Sequence, residues 1–169
     1  LLRYALGTTL PESKDSDFSW KDFQARVNNE LAAVLGNFVF RALSFTQKFA
    51  NGEVPELVDP QQIDLDALKS IETQKEKVTQ AFETFKFKEA ISEMMNLARV
   101  GNKYFTETEP WKTRSSDPQA CANSLHVSLQ ICAALSVLME PVLPDSMKKL
   151  RNQLSYSGKI SYAVFCLKK

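Results

Sequence analysis

The fold class follows from residues 19–49, SWKDFQARVNNELAAVLGNFVFRALSFTQKF. Ser19 is a good N-cap, and Asp22 stands three residues later, where an acidic side chain favours the first helical turn. Apolar residues then recur at steps of three and four, which is the period of an amphipathic helix. They are Phe23, Val27, Leu31, Val34, Leu35, Phe38, Ala42 and Phe45. We therefore predict a helix over residues 20–49 that ends near Asn51-Gly52.

Two further helices are predicted downstream of this segment. After a proline-bounded connection, Asp64 or Asp66 can cap a second helix. The helical period continues beyond a break near Lys86, which predicts a third helix over residues 87–104. Residues 105–111, FTETEPW, follow as a loop that ends in a Pro-Trp pair.

The last third of the chain predicts a fourth long helix and a short fifth one. Asp117 is an N-cap, and Pro118 occupies the first helical position, which proline favours. The fourth helix ends before Pro141, because proline cannot continue a helix. The fifth helix is predicted over Asp145 to Leu154. It leads into residues 160–165, ISYAVF, where a weak alternation of apolar and polar residues is typical of a strand or of a truncated segment.

These segments indicate an all-α fold, a bundle of about five helices. The length of 169 residues fits one domain of ordinary size. We place the bundle at residues 18–155, a joining segment at residues 1–17 and a tail at residues 156–169. The chain opens with Leu1 inside an apolar segment, and we interpret it as a fragment of a longer protein.

The composition excludes several classes of function. Only 5 Gly are present and they are scattered, so no glycine-rich phosphate loop can form. Because 21 basic residues oppose 20 acidic ones, nothing draws the whole chain to nucleic acid, and a polyanion must be bound locally. We find neither a signal peptide nor an apolar run near the roughly 20 residues of a membrane span. We expect a cytoplasmic protein without a membrane partner.

The cysteines and the single histidine do not indicate catalysis. Cys121, Cys132 and Cys166 contain no Cys-x-x-Cys pair, so neither a zinc knuckle nor a disulfide framework is expected. Cys121 and Cys132 return to nearly the same helix face, and we expect both to be buried. His126 lies in an apolar helical stretch, where a packed or half-exposed side chain is expected. We therefore expect no catalytic residue, no metal and no cofactor in this chain.

One small set of side chains has the chemistry to bind an unpaired base. Asn37 and Arg41 lie four residues apart on the first long helix and share a face, where an amide and a guanidinium suit a base edge. Trp111 offers a ring on which a base can stack. Lys112 and Arg114 are candidate contacts to backbone phosphates.

The same residues also fit structural roles. Asn37 and Arg41 are typical of a solvated polar stripe, and a lone Trp near a helix start often covers the core. Trp20 lies in the first turn of the first long helix, and we expect it to fold against the bundle.

Several segments together resemble a known family. In chain order they are residues 2–4 (LRY), 22–31 (DFQARVNNEL), 36–41 (GNFVFR), 102–104 (NKY), 109–112 (EPWK) and 138–144 (LMEPVLP). This wording, order and spacing closely resemble the helical domain that follows the catalytic half of methionyl-tRNA synthetases. The resemblance covers roughly residues 1–155.

The resemblance implies the anticodon-binding helix bundle of a class I synthetase, which recognises the CAU anticodon of methionine tRNAs. In that family the tryptophan matching Trp111 stacks on the first anticodon base. The residues matching Asn37 and Arg41 form hydrogen bonds with that base. Residues 1–17 would belong to the stem-contact region that joins the bundle to the catalytic domain of the same parent chain.

The sequence also departs from the family. It lacks the His-Ile-Gly-His-like and Lys-Met-Ser-Lys-Ser-like ATP-binding signatures and the zinc-binding insertion, so this chain alone is not expected to be an enzyme. ATP, and zinc where a member holds it, would belong to the catalytic domain of the parent ligase. Phe40 stands where related sequences often have a smaller or polar residue. Two alternatives stay open: the bundle of another class I synthetase, and a helical protein-interaction module.

Overall fold

The computed structural model describes residues 1–12 and 17–156. Within those ranges the regular structure is helical and no strand forms, which confirms the predicted all-α fold. Residues 160–165 lie outside the described residues. The elements are α1 (Leu2–Thr8), α2 (Trp20–Arg26), a π-helical stretch (Val27–Gly36), α3 (Asn37–Phe49), α4 (Gln62–Glu83), α5 (Phe87–Thr108), α6 (Pro110–Ser116), α7 (Pro118–Leu138) and α8 (Pro144–Tyr156).

The first long helix has the predicted limits. α2, the π-helical stretch and α3 join end to end over residues 20–49. The Ser19 hydroxyl accepts a hydrogen bond from the Asp22 amide at 3.4 Å, as expected of the N-cap. Past the other end, the amide of Gly52, which has a φ of 78°, donates to the Thr46 carbonyl at 3.1 Å. The π-helical stretch was not predicted, and its wider turns rotate the faces of α3 relative to α2.

α7 is the central helix of the bundle. The Asp117 carboxylate caps it by accepting a hydrogen bond from the Ala120 amide at 3.0 Å, as predicted. Helices α3, α4, α5, α6 and α8 all pack against α7. Contrary to expectation, α7 is long and apolar enough to cross a membrane, but 72% of its most apolar window is buried inside the bundle. A helix that is apolar on all sides and enclosed by other helices is a core helix.

The start of α4 is tied to the end of α5 by a buried carboxylate. The N-cap of α4 is Gln61 and neither Asp64 nor Asp66, but Asp64 helps to cap the helix as the third residue of a capping box. The Asp64 carboxylate accepts hydrogen bonds from the Gln61 amide at 2.9 Å and from the Tyr104 hydroxyl at 2.6 Å. Burial, together with this acceptor, raises the pKa of Tyr104.

The junction between α5 and α6 differs from the sequence prediction. α5 continues to Thr108, so the predicted end at residue 104 and the loop over residues 105–111 are wrong. The physical reason is that Phe105 continues the apolar face of α5 and is fully buried. The backbone changes direction at Glu109, with φ 42° and ψ 57°, and Pro110 then begins α6. Trp111 therefore lies in the first turn of a short helix.

The N-terminal helix α1, which the sequence did not predict, packs against α5. Tyr4 and Ala5 are buried in this contact. The Tyr4 hydroxyl also donates a hydrogen bond to the Glu30 carboxylate in the π-helical stretch. Residues Leu2–Thr8 are thus held by α5 and by the π-helical stretch, among other contacts.

Trp20 does not fold against the bundle, and that expectation is wrong. Its side chain is 73% exposed. The indole makes edge-to-face contacts with Phe18 and Phe23, at centroid distances of 5.1 and 5.9 Å. These three rings form a small cluster at the start of the first long helix, because α2 contributes no buried residue to the core.

The cysteines and the histidine have the predicted surroundings. Cys121 and Cys132 are buried, and desolvation raises the pKa of both thiols. His126 is half buried, with its Nδ1 atom 2.8 Å from the Pro55 carbonyl oxygen. Cys166 lies outside the described residues. Across residues 1–12 and 17–156, no three His, Cys, Asp or Glu side chains are grouped to hold a metal.

Candidate nucleic-acid interface

The first part of the site is the N-terminal turn of α3. Asn37 is the first residue of α3 and Arg41 lies one turn later, so the two side chains project from one face. Asn37 is exposed, and no residue in the described part of the chain forms a hydrogen bond with its amide. Its donors and its acceptor are therefore available to a ligand.

Arg41 joins this face to Trp111. Its guanidinium carbon lies 4.7 Å from the centroid of the Phe105 ring and 5.6 Å from that of the Trp111 ring. Both distances are within the range of a cation–π interaction. No carboxylate in the described ranges forms an ion pair with Arg41. The guanidinium is thus oriented by aromatic rings, and no carboxylate of the described residues forms an ion pair with its N–H groups.

Trp111 is held on one side and open to solvent on the other. Its side chain is 38% exposed. Its ring packs 6.3 Å from the buried Phe105 ring and 6.4 Å from the Phe45 ring, measured between centroids. The buried Pro110 precedes it, and the Cys121 thiol donates to the Pro110 carbonyl at 3.4 Å. The indole is therefore packed against the protein on one side, and its other side is accessible to a ligand.

The two candidate phosphate contacts have different surroundings. The Lys112 ammonium forms an ion pair with the Glu109 carboxylate at 2.8 Å on the exposed side of α6. The guanidinium carbon of Arg114 instead lies 4.6 Å from the centroid of the Phe49 ring in α3. A phosphate must therefore displace Glu109 to bind Lys112, whereas Arg114 forms no ion pair with a residue that the structure describes.

Sequence reasoning missed Phe45 and Phe105 as parts of this site. Phe45 was assigned to the apolar stripe of the first long helix, and Phe105 was placed in a loop. Their rings pack edge to face at 5.3 Å, beneath Arg41 and Trp111. One signal was available, because Asn37, Arg41 and Phe45 recur at four-residue steps along α3.

A separate groove runs along another side of α3. Val39, Phe40 and Leu43 line it together with Leu129, and its volume is about 1060 Å³. Phe40 is largely exposed there. Neither Asn37 nor Arg41 lines this groove, so these two candidate base-binding residues and the groove occupy different faces of α3.

The chain matches two protein-family models. Residues 54–163 match the anticodon binding domain of methionyl tRNA ligase. Residues 1–43 match the class I tRNA synthetases for methionine. The class I match ends inside the first long helix and the anticodon-domain match begins after it, so Phe45 and Phe49 in its last turns lie between the two.

Curated relatives and solved structures agree with these matches. The chain is 56% identical to a methionine–tRNA ligase of Salinibacter ruber, over 91% of the chain and 22% of the relative. It is 46% identical to the same ligase of Methanopyrus kandleri, over 95% of the chain and 23% of the relative. The chain thus spans about a quarter of the length of these relatives.

The fold is also similar to that of solved methionyl-tRNA synthetases. The Mycobacterium tuberculosis enzyme in complex with methionyl-adenylate matches with a TM-score of 0.84 at 27% identity, over 92% of the chain and 33% of that structure. Its free form matches with a TM-score of 0.83 over 88% of the chain and 31% of that structure. With a family model covering most of its length, the chain belongs to the anticodon-binding domains of the methionyl-tRNA ligases.

Proposed function

We propose that this chain recognises the CAU anticodon of methionine tRNAs. The first anticodon base, a cytosine, stacks on Trp111, while Asn37 and Arg41 form hydrogen bonds with its edge. The observation that carries this proposal is the contact of Arg41 with the half-exposed Trp111 ring, which puts a forked donor beside a stacking platform. Lys112 and Arg114 bind the neighbouring backbone phosphates.

Recognition proceeds by exchange at the indole. In the free protein the Arg41 guanidinium lies over the ring that the base must approach. The incoming base replaces this cation–π contact with stacking, and Arg41 turns its N–H groups toward the acceptors of the base edge. The Asn37 amide can donate to a base acceptor and accept from an amino group. A wrong base leaves a desolvated group unpaired, which costs about 1–3 kcal/mol.

The chain itself binds and performs no chemistry in this proposal. The parent protein is a methionine–tRNA ligase that uses ATP, and its catalytic domain is a further partner of the bundle. ATP, and zinc where the parent holds it, bind in that catalytic domain, and the protein acts in the cytoplasm without a membrane partner. In the parent, the anticodon contact would place the acceptor end of the tRNA in the distant active site.

The test is a fluorescence titration of Trp111 in a Trp20→Phe background. An anticodon stem-loop RNA bearing CAU is expected to quench the indole, because the base stacks on it. A matched stem-loop with an altered first anticodon base is expected to bind at least about tenfold more weakly, in line with one unpaired polar group. A flat titration with both RNAs at low salt would refute the proposal.

One alternative function has an observation in its favour. The groove beside Phe40 is lined by apolar residues of α3 and could accept a partner helix. A helical protein-interaction module would bind a protein there, and Trp111→Ala would leave that binding unchanged. The titration separates the two functions, because a protein-interaction module has no reason to distinguish CAU from its variant.

A further inference from the structure

A second pair of cations lies beside the Trp111 platform. We propose that Lys48 and Arg114, held on the ring of Phe49, form a binding site for a backbone phosphate of the nucleotide next to the stacked base. The proposal rests on the proposed function, since it names a further contact of the same RNA. It adds Lys48 and Phe49 to the interface and makes Arg114 part of a site built from two helices.

The geometry places both cations on one ring. The guanidinium carbon of Arg114 lies 4.6 Å, and the Lys48 ammonium 5.7 Å, from the Phe49 centroid. Lys48 comes from the last turn of α3 and Arg114 from the last turn of α6. The negative face of an aromatic ring attracts cations without neutralising them. Phe49 therefore acts as a positioning residue that gathers two positive charges from different helices.

The charges of this pair are not compensated. No carboxylate of the described residues forms an ion pair with Lys48 or Arg114. Nearby lysines differ, because Lys103 is paired with Glu107 at 3.8 Å and Lys112 with Glu109 at 2.8 Å. An anion reaching Lys48 and Arg114 therefore displaces only water and counterions, whereas one reaching Lys112 must also displace a carboxylate.

The pair is continuous with the base platform. The Phe49 ring packs edge to face on Phe45 at 4.9 Å, and Phe45 packs on Trp111 at 6.4 Å. One row of rings thus connects the two cations with the indole. A strand whose base stacks on Trp111 carries its adjoining phosphate along this row.

The experiment measures how salt weakens the binding of a CAU stem-loop RNA. In fluorescence anisotropy titrations of the 169-residue chain, log K falls as log salt rises, and each lost phosphate contact makes this negative slope shallower by about 0.7. The double variant Lys48→Gln, Arg114→Gln is expected to lose about one such contact, because both cations bind the same phosphate, and to bind roughly three- to tenfold more weakly at low salt. Its preference for CAU over a stem-loop with an altered first base is expected to stay unchanged.

Matched variants separate this site from general charge loss. Lys103→Gln, which removes an ion-paired lysine on α5, is expected to leave the salt slope near that of the original chain. Phe49→Leu keeps both charges and is expected to give an intermediate slope, because the cations lose their common support. Circular dichroism checks that each variant keeps its helices. A Phe49→Leu slope equal to that of the original chain would remove Phe49 from the site.

The outcomes also distinguish this inference from the proposed function. If the double variant binds CAU with unchanged affinity and slope, or matches Lys103→Gln, the phosphate site is refuted and base recognition stands. If the original chain binds neither stem-loop, the proposed function fails and the phosphate site fails with it. If the double variant loses the preference for the first base, Lys48 and Arg114 act on the base and not on a phosphate.

Discussion

The two tryptophans of this chain lie in the first turns of two helices, but their surroundings differ. Trp20 is 73% exposed and touches only Phe18 and Phe23 within the described aromatic contacts. Trp111 is 38% exposed and rests on Phe45 and the fully buried Phe105. A guanidinium lies over Trp111, whereas no cation in the described ranges lies over Trp20.

If Trp111 is the recognition residue, as we propose, exposure alone does not make a ring suitable for recognition. The Trp20 indole is more accessible, but its neighbours Phe18 and Phe23 are not part of the buried core. The Trp111 indole exposes less area, but core residues fix its position and Arg41 supplies hydrogen-bond donors beside it. Fixed groups bind with a smaller loss of conformational entropy than mobile ones.

The largest expected difference concerns stability. Phe105→Ala removes a buried ring beneath the Trp111 platform and is expected to lower the free energy of unfolding by about 3–5 kcal/mol. Phe18→Ala, next to Trp20, is expected to change it by less than about 0.5 kcal/mol, because Phe18 is 42% exposed and lies outside the core. Urea unfolding followed by circular dichroism measures both. Equal losses of unfolding free energy would show that Phe18 and Phe105 contribute equally to the stability of the fold.

RNA affinity gives the next difference. Trp111→Ala is expected to weaken binding of a CAU stem-loop by about 1–3 kcal/mol, the contribution of one stacked base. Trp20→Ala, its matched control, is expected to leave the Kd within a factor of about two, because no donor or cation accompanies that ring. Anisotropy titrations at one salt concentration compare the variants. If Trp20→Ala bound the stem-loop more weakly and Trp111→Ala did not, the RNA would contact Trp20 and not Trp111.

A smaller effect is expected from changing the cation over Trp111. Arg41→Lys keeps the charge but removes the planar fork, so discrimination against an altered first anticodon base is expected to fall by about tenfold. The control is Arg99→Lys on α5, whose guanidinium donates to Asn96 at 2.7 Å and lies over neither Phe105 nor Trp111. It is expected to leave both affinity and discrimination unchanged. Competition between the two stem-loops measures the ratio directly.

The smallest expected difference is in the accessibility of the two indoles without RNA. In Trp111→Phe the remaining Trp20 is expected to be quenched by acrylamide more strongly than Trp111 is in Trp20→Phe, following the exposed fractions of 73% and 38%. Stern–Volmer constants of the two variants give the comparison. A larger constant for Trp111 would mean that Phe45 and Phe105 do not hold the indole in place.

The sequence predicted what depends on neighbouring residues. The caps at Ser19 and Asp117 follow from side chains that reach amides three residues away, and the structure confirms both. The shared face of Asn37 and Arg41 follows from helical spacing and is also found. These are local properties, so a short window of sequence contains them.

The sequence did not predict what depends on packing between helices. α5 extends to Thr108 because Phe105 is buried against other elements, and Trp20 stays outside because α2 contributes no residue to the core. The contact of Arg41 with Trp111 joins residues seventy positions apart in the sequence. No local sequence pattern predicts whether Arg41 contacts Trp20 or Trp111, because that contact depends on how α3 packs against α6.

The π-helical stretch before Asn37 has a consequence for tolerance to changes in chain length. Each π turn holds one residue more than an α turn, so a one-residue deletion within Val27–Gly36 can be absorbed by tightening to α-type hydrogen bonds. The same deletion inside α3 turns every later side chain by about 100° and moves Ala42 out of the core. The ten residues of the stretch can thus take up a change in chain length directly before the proposed base-binding face.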